Sequence, residues 1–208
     1  MFKNRTIIAV VGILATSVAL TACSMSGMNM GGDSSSSSAS DERFNDQDVS
    51  FAQSMVLHHT QAVEMADVIL AKDGVDTRIT ELAQTIKDAQ APEIDLMDGW
   101  LEEWGASDDM SGMDHGTDGK SSDGTVSDGT SSDGMMSDDD MAALESATGI
   151  DASRLFLEQM TEHHNGAIAM AQTEVDSGES PDAITLAQKI IDDQTAEIEL
   201  MQEILSTL

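Results

Sequence analysis

The chain has 208 residues, and its 39 acidic against 9 basic side chains give a formal charge of −30. A surface this acidic repels phosphate backbones, which excludes nucleic acid as a partner. Only 3% of residues are aromatic and none is tyrosine; an apolar set dominated by Ala, Leu, Ile and Met favours helices packed on helices over a β-sandwich.

At the N-terminus Lys3 and Arg5 precede an apolar run from Ile7 to Leu20, closed by Leu20-Thr21-Ala22-Cys23. The run is shorter than the roughly 20 residues a membrane span needs. It resembles a bacterial lipoprotein signal, in which residues 1–22 are removed and Cys23 becomes the lipidated first residue. Cys23 is the sole cysteine, which fits an anchor and rules out an intramolecular disulfide. The expectation is an exported protein, lipid-anchored to the cell membrane on its extracytoplasmic side. Residues 23–44, with Met25, Met28, Met30 and a serine run, read as a flexible tether.

Order is expected to begin at Asn45, an N-cap with Asp46 and Asp48 in the first turn behind it. Helical spacing of apolar residues then runs to Ile69, and Gly74 marks the stop. A second helix starts near Asp76 and ends by Gly105, with a kink expected at Pro92. Residues 45–105 thus form a helical hairpin. Residues 106–137, rich in Asp-Gly, Ser and Thr, read as a disordered linker; they hold no 12-residue calcium loop with a closing Glu. A second hairpin spans 138–208. It comprises a short helix from about Asp138 to Thr148, a long one over 151–176, and another opening at Ser180-Pro181, where Ser caps and Pro takes the first helical position.

The two hairpins repeat one another. Phe51-x3-Met55-x2-His58-His59-x2-Ala62-x2-Met65-Ala66 matches Phe156-x3-Met160-x2-His163-His164-x2-Ala167-x2-Met170-Ala171. Leu82-Ala83-Gln84, Gln90, Glu93-Ile94 and Leu96-Met97 match Leu186-Ala187-Gln188, Gln194, Glu197-Ile198 and Leu200-Met201. The fold class is therefore all-α: a four-helix bundle built from a duplicated αα-hairpin.

Four of the five histidines lie in the two copies of the first motif. At about 100° per residue, Met55, His58, His59, Ala62, Met65 and Ala66 share an arc of about 120°, the width of a core-facing stripe. Met160, His163, His164, Ala167, Met170 and Ala171 do the same. Glu93 and Glu197 fall on the apolar faces of their helices, where a charge needs a partner. Three chemistries fit. The histidines are core residues hydrogen-bonded to Glu93, Glu197, Gln90 or Gln194. Alternatively, imidazole and thioether together hold a soft ion such as Cu(I) or Ag(I), with those four residues orienting the rings. The third is a ferritin-type di-iron oxidase or redox centre, which needs Glu-x-x-His on two helices. Met55 and Met160 occupy that Glu position, which favours the soft metal. Met110, Met113 and His115 in the linker, with Met135, Met136 and Met141 at its end, are either auxiliary soft-metal ligands or low-complexity drift. Motifs for hydrolases and transferases are lacking.

Met-x-x-His-His-x-x-Ala-x-x-Met-Ala, followed by Leu-Ala-x-x-Ile-x-x-x-Gln-x-x-Glu-Ile-x-x-Met, resembles the bacterial domain-of-unknown-function family three hundred and five. Some of its members are copper-binding proteins of the CopM type. The resemblance covers about residues 45–104 and 137–208. It implies a ferritin-like bundle, exported, binding copper or silver without established catalysis. The candidate ligands it carries over are Met55, His58, His59, Met65, Met160, His163, His164 and Met170. Cu(I) is the favoured cofactor, and the metal ion and the membrane are the expected partners. A structural cell-surface bundle without metal remains the bland alternative, and oligomeric state stays open.

Overall fold

The computed structural model describes residues 43–107 and 133–208. Residues 1–22, expected to be a signal segment, Cys23, Met25, Met28 and Met30, and Met110, Met113 and His115 lie outside the described residues. Five helices follow in order: α1 (Asp46–Leu70), α2 (Thr77–Glu103), α3 (Asp138–Ser146), α4 (Gly149–Ser177) and α5 (Pro181–Leu205). Among the described residues no helix is long and apolar enough to cross a membrane.

The helix ends follow local chemistry. Asn45 caps α1 in a reciprocal box with Asp48, Asp76 caps α2, and Ser180 caps α5 with Pro181 at the first position. Helix α2 runs unbroken through Pro92, which lies on the exposed side. It ends where Gly105 adopts φ +71; there the Ala106 N–H reaches back to the Leu101 carbonyl at 2.8 Å and Gly105 N–H to Glu102 at 3.2 Å. That pair of bonds is a Schellman stop, and glycine supplies the left-handed conformation it requires. Helix α1 stops at Leu70, earlier than Gly74 suggests; Gly74, at φ +77, instead turns the chain toward the α2 cap.

α1 packs on α2 and α4 on α5, and the hairpins join along an α1–α4 seam, crossed by α3. Two apolar clusters form the core. One gathers Phe51, Met55, Met97 and Leu101 with Ala167 and Ile190. The other gathers Met65, Ile69, Ile86, Phe156, Met160 and Met201. Along α1 the clusters take residues 51–56 and 62–69, and along α4 residues 167–171 and 152–160. The histidines lie between them in both sequences. Fully burying one such large side chain contributes about 1.5–3 kcal/mol, so the clusters supply the association that neither hairpin has alone.

Residues 133–137, expected from the sequence to belong to the disordered linker, instead form a strap packed on the α1–α4 seam. Met136 is 6% exposed and belongs to the second cluster, so it is core filling rather than an exposed ligand. Gln61 of α1 grips the strap twice, its amide donating to the Met136 carbonyl at 2.8 Å and accepting from Met136 N–H at 2.7 Å. The repeat counterpart of Gln61 is Gly166, where a Cβ would overlap the Asp133 carbonyl. One copy of the repeat holds the strap and the other makes room for it.

The far end of the seam is tied by Asp48. Fully buried, it accepts backbone N–H groups from Asn45 at 2.6 Å, Glu179 at 3.1 Å and Ser180 at 2.8 Å, linking the start of α1 to the α4–α5 turn. Glu174, also fully buried, lies against it. Burial, reinforced by the Asp48 carboxylate, pushes the Glu174 carboxyl from 4.5 up to about 8. The native state thus keeps a proton that the unfolded chain releases, so this contribution to stability is complete below about pH 4.5 and is lost as pH rises through about 8. Glu174→Gln, similar in shape but without the titration, is expected to flatten the fall in urea midpoint over that range. An unchanged slope in the variant would refute the assignment.

Candidate metal centre

All four repeat histidines are buried, at 0–1% exposure, in one layer. The first pair and the second play matched parts. His59 Nε2 donates to Glu93 Oε2 at 2.9 Å, and His164 Nε2 donates to Glu197 Oε2 at 2.6 Å. His58 and His163, which are repeat counterparts, face each other across the seam with ring centroids 3.7 Å apart and planes inclined by 38°. His58 Nε2 donates to the Asp133 carbonyl of the strap at 3.0 Å. The duplication therefore gives an approximate two-fold arrangement centred between His58 and His163.

Nδ1 of all four histidines is buried without a hydrogen-bond partner, and Nε2 of His163 is as well. Native proteins satisfy most buried polar atoms, so five orphaned imidazole nitrogens in one layer call for a chemical reason. Burial pushes the His58 imidazole from 6.5 down to about 3, with His59 nearby adding to the effect, and holds His163 well below the usual range for the same reason. Both are therefore neutral at pH 7, with lone pairs free to ligate.

Thioethers lie above and below this layer. Met55 and Met97 belong to one apolar cluster, with Met170 at its edge; Met65, Met160 and Met201 belong to the other. Met97 and Met201 were not among the sequence candidates, although they are themselves a matched pair of the second repeat; their core position made them look like ordinary filling. Thr161 Oγ1 lies 3.7 Å from Met201 Sδ. Gln90 and Gln194 are buried as expected. However, the rings bond to Glu93, Glu197 and Asp133 instead, and both amide atoms of Gln90 and Oε1 of Gln194 lack a hydrogen-bond partner.

The donor set fits a soft ion and not a hard one. Among the described residues no group of three or more His, Cys, Asp or Glu side chains is placed to hold a metal ion, and Met55 and Met160 stand where the Glu-x-x-His pairs of a carboxylate-bridged di-iron site have their Glu. Neutral imidazole and thioether suit Cu(I) and Ag(I). Glu93 is doubly engaged: burial would raise its pKa, but hydrogen bonds from His59 and from Lys189 Nζ at 2.9 Å hold it below the ordinary carboxylate range. A carboxylate on the far ring nitrogen fixes the orientation of a ligating histidine.

A duplicated, all-helical bundle with a buried histidine layer between two methionine-bearing clusters is the class that fold and site define. Residues 48–205 match the model of the domain of unknown function DUF305, and the chain belongs to that family. No curated protein sequence matches it. Among solved structures it is similar to a DUF305 protein of Streptomyces coelicolor, provisionally described as secreted, at 31% identity over 77% of this chain and 91% of that one, with a TM-score of 0.63. A DUF305 fragment from Deinococcus radiodurans is 28% identical over 79% and 98% of the two chains, also with a TM-score of 0.63. CopM in its Cu(I)-bound form is 27% identical over 77% and 96%, with a TM-score of 0.57; CopM has also been solved with Cu(II) and with Ag bound.

Proposed function

We propose that this protein binds and buffers copper, as Cu(I) in preference, or silver, outside the cytoplasm, and that lipid at Cys23 holds it to the membrane. The observation that carries the reading is the layer of five orphaned imidazole nitrogens between two methionine-bearing clusters. His58, His59, His163 and His164 supply nitrogen; Met55, Met65, Met160 and Met170 supply sulfur, and Met97 and Met201 join them. Glu93 and Glu197 orient His59 and His164 from behind. Met110, Met113 and His115 act as weaker ligands. The copper and silver bound by CopM give independent support. Storage is favoured over catalysis, because the histidine layer is fully buried and the sequence carries no motif for a reaction on a bound substrate.

Anaerobic titration with Cu(I) against a competing chelator, in parallel with Fe(II) and Zn(II), tests this. Tight Cu(I) binding is expected, with a raised thermal midpoint; ligand at 100 times Kd adds about 2.7 kcal/mol to the folded state. Stoichiometric iron in protein purified without added metal, with no Cu(I) binding, would overturn the proposal.

A further inference from the structure

Two cavities open between α2 and α5, and the duplication makes them counterparts. One, of about 460 Å3, is lined by Leu82, Thr85 and Leu200 among others. The other, of about 310 Å3, is lined by the repeat partners of those three, Leu186, Lys189 and Leu96. They differ in one respect that bears on the histidines. Glu197 lines the first cavity while accepting from His164 at 2.6 Å. Glu93, its partner, does not line the second, because Lys189 stands in that cavity and bonds Glu93 Oε1 at 2.9 Å. Lys189 occupies the repeat position of Thr85, whose short neutral side chain leaves the first cavity clear down to Glu197. Glu81 and Glu203 add two further carboxylates around that wall against one cation, Arg78.

We infer that soft metal ions reach the histidine layer from one side only, through the larger α2–α5 cavity past Glu197, and that Lys189 closes the equivalent path past Glu93. This rests on the metal-binding reading above. Acidic walls around a cleft concentrate cations and speed their association, and Glu197, which lines that cavity, is itself bonded to the buried His164 imidazole. Lys189 does the opposite at the other end: its ammonium repels an approaching cation and its bond to Glu93 occupies the oxygen a cation would meet first.

Stopped-flow uptake of Ag(I) by the full chain tests the route, with equilibrium titration of each variant alongside. Glu197→Gln should lower the association rate about tenfold, within the range attributed to electrostatic steering, and the parallel titration separates that drop from any loss of affinity caused through His164. Glu93→Gln should slow uptake far less than Glu197→Gln does. Lys189→Thr, which copies the open half, should raise the rate about twofold by adding an equivalent second path, and in that background Glu93→Gln should slow uptake. Equal slowing by Glu197→Gln and Glu93→Gln would overturn the inference. So would slowing by Met170→Leu with Glu197→Gln unaffected, since Met170 and Asp133 line a separate groove on the α1–α4 seam. Absence of Ag(I) binding to the native chain at equilibrium would remove the metal-binding proposal and this route with it, and the titration separates that failure from a change of rate.

Discussion

Replacing His163 with leucine is expected to make the metal-free protein more stable and to destroy its metal site. Neither ring nitrogen of His163 has a hydrogen-bond partner, although the residue is completely buried. A buried polar group left unsatisfied costs about 1–3 kcal/mol, and leucine occupies a similar volume without that cost. The urea midpoint of His163→Leu should therefore rise, by about 1–3 kcal/mol in free energy. Its Cu(I) affinity should fall by more than the roughly 10–100-fold that loss of a mere orienting partner produces. A histidine that served only to fill the core would give the same rise in stability but leave the copper affinity unchanged. The double variant His58→Ala/His163→Ala extends the test: native protein that binds Cu(I) no more tightly than this variant has no site here. The pH dependence carries the same signature. His58 titrates near 3 in the fold against 6.5 unfolded, and His163 is depressed in the same direction. Their contribution is present above about pH 6.5 and is lost as pH falls toward about 3, the reverse of the Glu174 effect. Removing the two histidines should therefore flatten the acid limb and leave the alkaline one.

Gly166→Ala is expected to destabilise the protein by about 1–3 kcal/mol, the usual cost of overpacking a filled core. In an ordinary helix interior the same change is favourable by about 1 kcal/mol. The sign reverses because the atoms a Cβ would meet are main-chain atoms of Asp133 and Gly134, which cannot rotate aside. The strap has to lift, and with it go the two bonds between Gln61 and Met136 and the bond from His58 to Asp133. Gln61→Ala loosens the strap from the other side, so the two substitutions should be non-additive in a double-mutant cycle. Hydrogen exchange at the Met136 amide should accelerate in both. An additive pair with Met136 still protected would show that the strap is held elsewhere.

Helix placement and duplication were legible from local rules. Asn45, Asp76 and Ser180 cap the helices as their types prefer, Gly105 supplies the one left-handed turn a Schellman stop needs, and the spacing of Met55, His58, His59, Ala62 and Met65 put them on one face. These depend on neighbours within a few residues, so the sequence alone contains them. That the histidines have Glu93 and Glu197 among their partners was likewise readable, because a charge on an apolar face has few partners; which carboxylate meets which histidine was not. The roles of Met136, Lys189 and Gly166 were not, and for a common reason. Met136 follows an Asp-Gly tract that looks like linker to its last residue, and only contact with Gln61, 75 positions away, makes it core. Lys189 reads as an ordinary surface charge until α2 is set beside α5 and its amine meets Glu93, 96 positions away.

The sequence by itself determined that this is a duplicated helical bundle whose two histidine pairs point inward among methionines, since periodicity and repetition are properties of the chain. Tertiary structure decided that His58 and His163 face each other at the centre of the duplication and that a strap covers one side of them. It also decided that the two halves, nearly identical in motif, differ where Lys189 stands in one and Thr85 in the other. Such asymmetry arises between helices that are far apart in the chain, where no local periodicity records it.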